Sequence, residues 1–156
     1  MAEHSSAGAG EYGIRITRVF EAPPERVWSE WTKPESFADW FGGPECDVPL
    51  STVSMDVRPG GQWRLTMFAP PGRRRIDWRG EYREVAPPER LVFTICDQPA
   101  ENDAFELVIV VLNDLGDGRT EMLFEQRGSM SPEQYERAAG GWGTFFDRMD
   151  ERLAAT

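Results

Sequence analysis

Between residues 14 and 20 apolar and polar side chains alternate, with Ile14, Ile16 and Phe20 set against Arg15, Thr17 and Arg18. This is the period of a strand with one buried face. Ala22-Pro23-Pro24-Glu25 then opens a short helix, because proline is pre-organised for a first turn, and Val27, Trp28 and Trp31 share one side of it. A second short helix follows, with Thr32 and Glu35 at capping-box spacing, Pro34 in the first turn, an apolar stripe of Phe37, Trp40 and Phe41, and Gly42-Gly43-Pro44 as its stop. From residue 51 to 128 the period becomes two, broken by turn residues at Pro59-Gly60-Gly61, Pro70-Pro71-Gly72, Pro87-Pro88, 99–102 and 116–118. That spacing predicts six further antiparallel strands.

The strand phases follow from the charges. Across residues 75–83 the odd positions are charged and the even ones carry Ile76, Trp78, Gly80 and Tyr82, so one face is wet and the other is not. The same test turns inward Trp63, Leu65 and Met67; Leu91, Phe93 and Ile95; Phe105, Leu107, Ile109 and Val111; and Met122, Phe124 and Gln126. Ser131, Pro132 and Gln134 start a long terminal helix whose apolar stripe, roughly 120° wide, holds Tyr135, Ala138, Ala139, Trp142, Phe145, Phe146, Met149 and Leu153. Gly140, Gly141 and Gly143 interrupt that helix, each at about 1 kcal/mol relative to Ala, which reads first as close packing against the sheet and second as a locally weak helix that flexes to admit a ligand. The expected fold is α+β: a curved seven-stranded antiparallel sheet around one long C-terminal helix, with two short helices after the first strand. Two alanines on the inward stripe leave room for a cavity. Residues 1–12, small and polar, are expected to be a flexible tail ahead of one domain at 13–156.

Composition narrows the function. The 156 residues carry 17 Lys and Arg against 27 Asp and Glu, a net charge of −10 that works against binding nucleic acid. The longest apolar run, 107–112, is far short of the roughly 20 residues a bilayer span requires. The start of the chain has neither a basic nor an apolar segment of the signal-peptide kind, so a cytoplasmic location is expected. Cys46 and Cys96 lie far apart without a CxxC, and the sole histidine, His4, is in the tail. Free structural thiols and no metal site are expected.

Several motifs in order resemble a known family. They are Arg18-x-Phe20-x-Ala22-Pro23-x-x-x-Val27-Trp28; Pro34-Glu35 with Trp40; Asp56-x-Arg58-Pro59-Gly60-Gly61-x-Trp63-Arg64; Gly80-x-Tyr82-x-Glu84 through Pro87-Pro88-Glu89-Arg90-Leu91-x-Phe93-Thr94; Thr120-Glu121; and Gly141-Trp142. Over residues 12–155 the chain resembles the START-like, birch-pollen-allergen-like superfamily (SRPBCC), in the branch similar to the activator of heat-shock-protein ATPase. The resemblance implies a helix-grip fold enclosing an apolar cavity for a hydrophobic small molecule. The eukaryotic co-chaperone of that branch has a chaperone-binding domain ahead of this module, whereas here about a dozen residues precede the first strand. A heat-shock chaperone is therefore the second expected partner, after a hydrophobic or aromatic small molecule.

On this reading the cavity is lined by Trp40 and Phe41 from the helical corner and by Trp63, Leu65, Met67, Trp78, Tyr82 and Phe93 from the first inward strands. Phe105, Leu107, Ile109, Met122, Phe124 and Gln126 follow from the last two, and Ala138, Ala139, Trp142, Phe145 and Phe146 from the long helix. Aromatics at these periods serve equally as plain core. The inward polar groups are Tyr82, Glu84, Thr120 and Gln126, of which only Glu84 has the chemistry of a general base near neutral pH. With His4 in the tail, nucleophilic triads lack their base. No catalytic residue, cofactor or metal is assigned, and non-catalytic binding ranks ahead of a co-chaperone module and of an enzyme of the polyketide cyclase or aromatase kind. Gly60-Gly61 reads as a hairpin turn and Arg73-Arg74-Arg75 as a solvated one.

Overall fold

A computed structural model describes residues 6–10, 13–97 and 105–155. In chain order the elements are β1 (Ser6–Gly10), β2 (Gly13–Phe20), α1 (Pro24–Thr32), α2 (Pro34–Trp40), β3 (Ser54–Met55), β4 (Gln62–Ala69), β5 (Arg74–Ala86), β6 (Arg90–Ile95), β7 (Glu106–Asp114), β8 (Thr120–Arg127) and α3 (Pro132–Ala154). The strands form one open antiparallel sheet in the order β1-β2-β8-β7-β6-β5-β4-β3. With α3 laid against it, this is the expected helix-grip arrangement.

Among the described residues the sheet has eight strands rather than seven. The added one, β1, lies in the stretch read as a tail and pairs Ser6 with Thr17 and Gly10 with Gly13. Main-chain hydrogen bonds make such a ladder without any apolar alternation, so Ser-Ala-Gly-Ala-Gly carried no strand period. Residues 1–5, 11 and 12 of that stretch, His4 included, and the turn expected at 99–102 lie outside the described residues.

The long helix starts as its sequence indicates. Ser131 Oγ accepts from the Gln134 N–H at 3.1 Å, and Gln134 Oε1 accepts from the Ser131 N–H at 2.8 Å, closing a capping box. The second box, expected at Thr32 and Glu35, does not form. Lys33 is the cap shared by α1 and α2, and Thr32 is still in the last turn of α1, where its hydroxyl donates to the Trp28 carbonyl at 2.9 Å.

One strand is out of its expected phase. In β7 the buried positions are Glu106, Val108, Val110 and Leu112, while Phe105 is 37% exposed and Leu107, Ile109 and Val111 are half-buried on the opposite face. Residues 107–112 are apolar at every position, so alternation is silent about which set goes inside. A second departure comes at the bulge in β5 between Tyr82 and Glu84, where two residues oppose one and the strand bends. Glu84 is thereby turned outward and receives a 2.9 Å hydrogen bond from Arg90, so the expected inward base is not inward.

The inner face of the sheet, α1, α2 and α3 close on an aromatic core. Trp31 sits at its centre, with ring centroids 4.8 Å from Trp40, 6.0 Å from Phe93 and Phe146, and 6.3 Å from Phe37, Phe124 and Trp142. The helices are then tied together by charge. Glu30, only 5% exposed, takes two hydrogen bonds from Arg152 at 2.7 and 3.2 Å, and Asp39 accepts from both Arg148 and Arg152. Arg18 of β2 donates to the Gly143 carbonyl at 3.1 Å and to Asp147 at 2.6 Å, fixing the middle of α3 to the sheet. Among the described residues no helix is long and apolar enough to cross a membrane.

Candidate functional site

The aromatic core leaves little space within itself. A void of about 10 Å³ is all that separates Trp31, Phe37, Met55, Trp63, Tyr82 and Phe93. The space opens instead beside the first half of α3, as a cleft of about 540 Å³. Its apolar walls are Phe41, Trp78, Ile95, Met130, Ala138, Trp142 and Phe145, and Gly141 lies on the helical side. Small residues cause it: Ala138 and Gly141 face a gap that longer side chains would fill, and a Cβ added to Gly141 would meet no atom within 4 Å. Gly140 and Gly143 are equally open, so the expected close packing of these glycines against the sheet is not what they do.

The inner wall of the cleft is polar. Glu106, 7% exposed, accepts from the Tyr135 hydroxyl at 2.8 Å, from Gln126 Nε2 at 3.3 Å and from the Ser129 N–H at 3.0 Å. Gln126 Oε1 in turn accepts from Trp142 Nε1 at 2.8 Å. The cluster joins β7, β8 and α3, and it leaves the carboxylate about one of its roughly four acceptor positions. Gly128 makes the fit possible, because a Cβ there would lie 1.8 Å from Glu106 Oε2. Burial, helped by the hydrogen bond to Glu106, pushes the Tyr135 phenol above its usual range, so it stays a donor. Asp97, Ser129, Gln134 and Arg137 line the exposed mouth.

Of the positions expected to line a cavity, Phe41, Trp78, Gln126, Ala138, Trp142 and Phe145 do so. Trp40, Trp63, Leu65, Met67, Tyr82, Phe93, Met122, Phe124 and Phe146 instead fill the core, and Ala139 packs on its edge. Phe105, Leu107 and Ile109 are not on the inner face at all. Burial, with a smaller push from Asp56, holds the Tyr82 phenol far above its usual value. Thr120 donates to the Ala22 carbonyl at 2.7 Å and is structural. The residue that sequence reasoning missed is Glu106. Its signal was Gln126, an inward amide in need of a partner, which only the other phase of β7 supplies. Among the described residues no group of three His, Cys, Asp or Glu is placed to hold a metal ion.

An open antiparallel sheet gripping a long C-terminal helix, with a cleft along the first half of that helix, defines a START-like helix-grip protein. Residues 21–154 match the model of the family described as activator of Hsp90 ATPase homolog 1-like protein, and the chain belongs to that family. Similar solved structures come from Rhodobacter sphaeroides (22% identity over 97% of this chain and 99% of the other, TM-score 0.78) and Mycobacterium smegmatis (20%, 98% and 97%, 0.79). A third, from Silicibacter pomeroyi and named there as an AHSA1 protein, is 22% identical over 90% of this chain and 96% of the other, with a TM-score of 0.79. At these identities the likeness is one of fold. No curated protein matches the sequence.

Proposed function

We propose that the chain binds a hydrophobic or aromatic small molecule in the cleft beside α3 without changing it chemically. The observation that carries this reading is the cleft itself: about 540 Å³, walled by Phe41, Trp78, Trp142 and Phe145, and ending on the Glu106–Gln126 cluster. Ligand sites of this kind are apolar, occupy about 300–1,000 Å³ and present a few convergent polar groups.

Native mass spectrometry of protein released gently from its host tests the reading by the mass of a retained adduct. Thermal melts with and without Ala138→Leu locate the site. A ligand at 100 times its Kd stabilises by about 2.7 kcal/mol, a shift of roughly 5–11 °C at this size. The variant fills the cleft and should lose the shift while melting no lower by itself. A strongly destabilised variant, or an undiminished shift, counts against this site.

The family's description supports a second reading, a co-chaperone that engages a heat-shock ATPase. Pull-down with purified chaperone and a measurement of its ATPase rate decide that alternative.

A further inference from the structure

We infer that the molecule taken by the cleft is a hydrophobic cation: a protonated amine carried on an apolar, ring-bearing body. The inference rests on reading the cleft as a binding site and adds the charge of what fills it.

Glu106 stands at the inner wall of the cleft. Its carboxylate is more than nine-tenths buried, and its three donors, the Tyr135 hydroxyl, the Gln126 amide and the Ser129 N–H, are all neutral. Neutral donors fix the position of a carboxylate and satisfy its lone pairs, but they leave its charge in place. The contrast with Glu30 is direct. That residue, similarly buried, has Arg152 at 2.7 Å as its counter-ion, whereas among the described residues no Arg or Lys forms an ion pair with Glu106. A buried charge without a counter-ion is expensive unless something supplies one. The position is nonetheless built, since the carboxylate lies against Gly128, where any side chain would evict it.

The rest of the cleft agrees. Trp78, Trp142, Phe41 and Phe145 line it, and aromatic rings attract desolvated cations as well as apolar groups. The net charge of −10 draws cations toward the molecule. Arg137 is the opposing feature, but it stands exposed at the mouth, where water and salt screen it far more than they screen Glu106. An ammonium group that reaches the inner wall gains a charge-assisted hydrogen bond to Glu106, and its apolar body fills the aromatic part.

Three probes with one apolar body test this: phenylbutylamine, phenylbutanol and phenylbutyrate, titrated calorimetrically into the whole protein. The amine should bind about tenfold or more tightly than the alcohol, with the carboxylate weakest. The preference should persist in about 0.5 M salt, which removes attraction to the general surface charge, and should vanish in Glu106→Gln. Equal affinities, a preference for the alcohol or the carboxylate, or a preference that disappears in salt overturns the cation while leaving cleft binding intact. Retained preference in Glu106→Gln overturns the role of Glu106. If none of the three binds, the cleft reading itself fails and takes this inference with it. Should Glu106→Gln not fold, the wild-type ranking and its salt series decide.

Discussion

Tyr135 and Glu106, 29 positions apart, share a 2.8 Å hydrogen bond that joins the first turn of α3 to the start of β7. Tyr135→Phe keeps the ring and removes this bond together with the one that the hydroxyl oxygen accepts from the Met130 N–H at 3.3 Å. The buried carboxylate then loses one of three donors, at about 1–2 kcal/mol, which lowers Tm by roughly 2–8 °C. Urea unfolding and a thermal melt check both figures. A change below about 0.3 kcal/mol would mean that the remaining donors hold Glu106 unaided.

Gly128→Ala attacks the same group from the other side. The new Cβ would lie 1.8 Å from Oε2 of Glu106 and 2.6 Å from Oε1, so the carboxylate or the β8 end must move. A loss of about 1–3 kcal/mol is expected, the ordinary scale of overpacking. Trp142 fluorescence should change with it, because Gln126 links that indole to the displaced carboxylate.

Gly140 lies on the exposed face of α3 with nothing near an added Cβ. Gly140→Ala should therefore raise stability by about 0.5–1 kcal/mol through backbone entropy and leave ligand binding unchanged. Denaturant midpoints for the two proteins settle the first point. A stabilised variant that loses its ligand would show that the cleft depends on a flexible helix.

Asp39 predicts a pH dependence. Desolvation, the largest influence on it, would raise its pKa, but hydrogen bonds and charge from Arg148 and Arg152 outweigh it and hold the carboxyl below its ordinary value of 3.8. A depressed folded pKa means stability that is complete above 3.8 and is lost as pH falls through the folded value. The stability difference between wild type and Asp39→Asn should be constant near neutrality and shrink steadily below about pH 4. A difference that grows on acidification would reverse the sign of this linkage.

Much of this protein was decided within the sequence. Charges at every second position of 75–83 set the face of β5, because a one-residue slip would have turned all five of them inward. The α3 stripe and its cap were legible for the same reason: a 3.6-residue period and a Ser-Pro-x-Gln start involve only neighbours along the chain. Residues 107–112 offered no such contrast, since both faces of β7 are apolar, and the choice fell to a partner distant in sequence. Gln126 and Tyr135 need an acceptor inside, and burying Glu106 beside them places Val108, Val110 and Leu112 in the core and moves Leu107 and Ile109 out of it. The division of the aromatics was tertiary as well. Trp63, Phe93 and Phe124 have the same inward phase as Trp78 and Gln126, yet Trp31 from α1 packs against Phe93 and Phe124 and reaches toward Trp63, while the end of the grip where α3 presents Ala138 and Gly141 stays open. Alternation along a strand reports which side faces the core; which part of that side stays empty depends on the shape of what is packed against it.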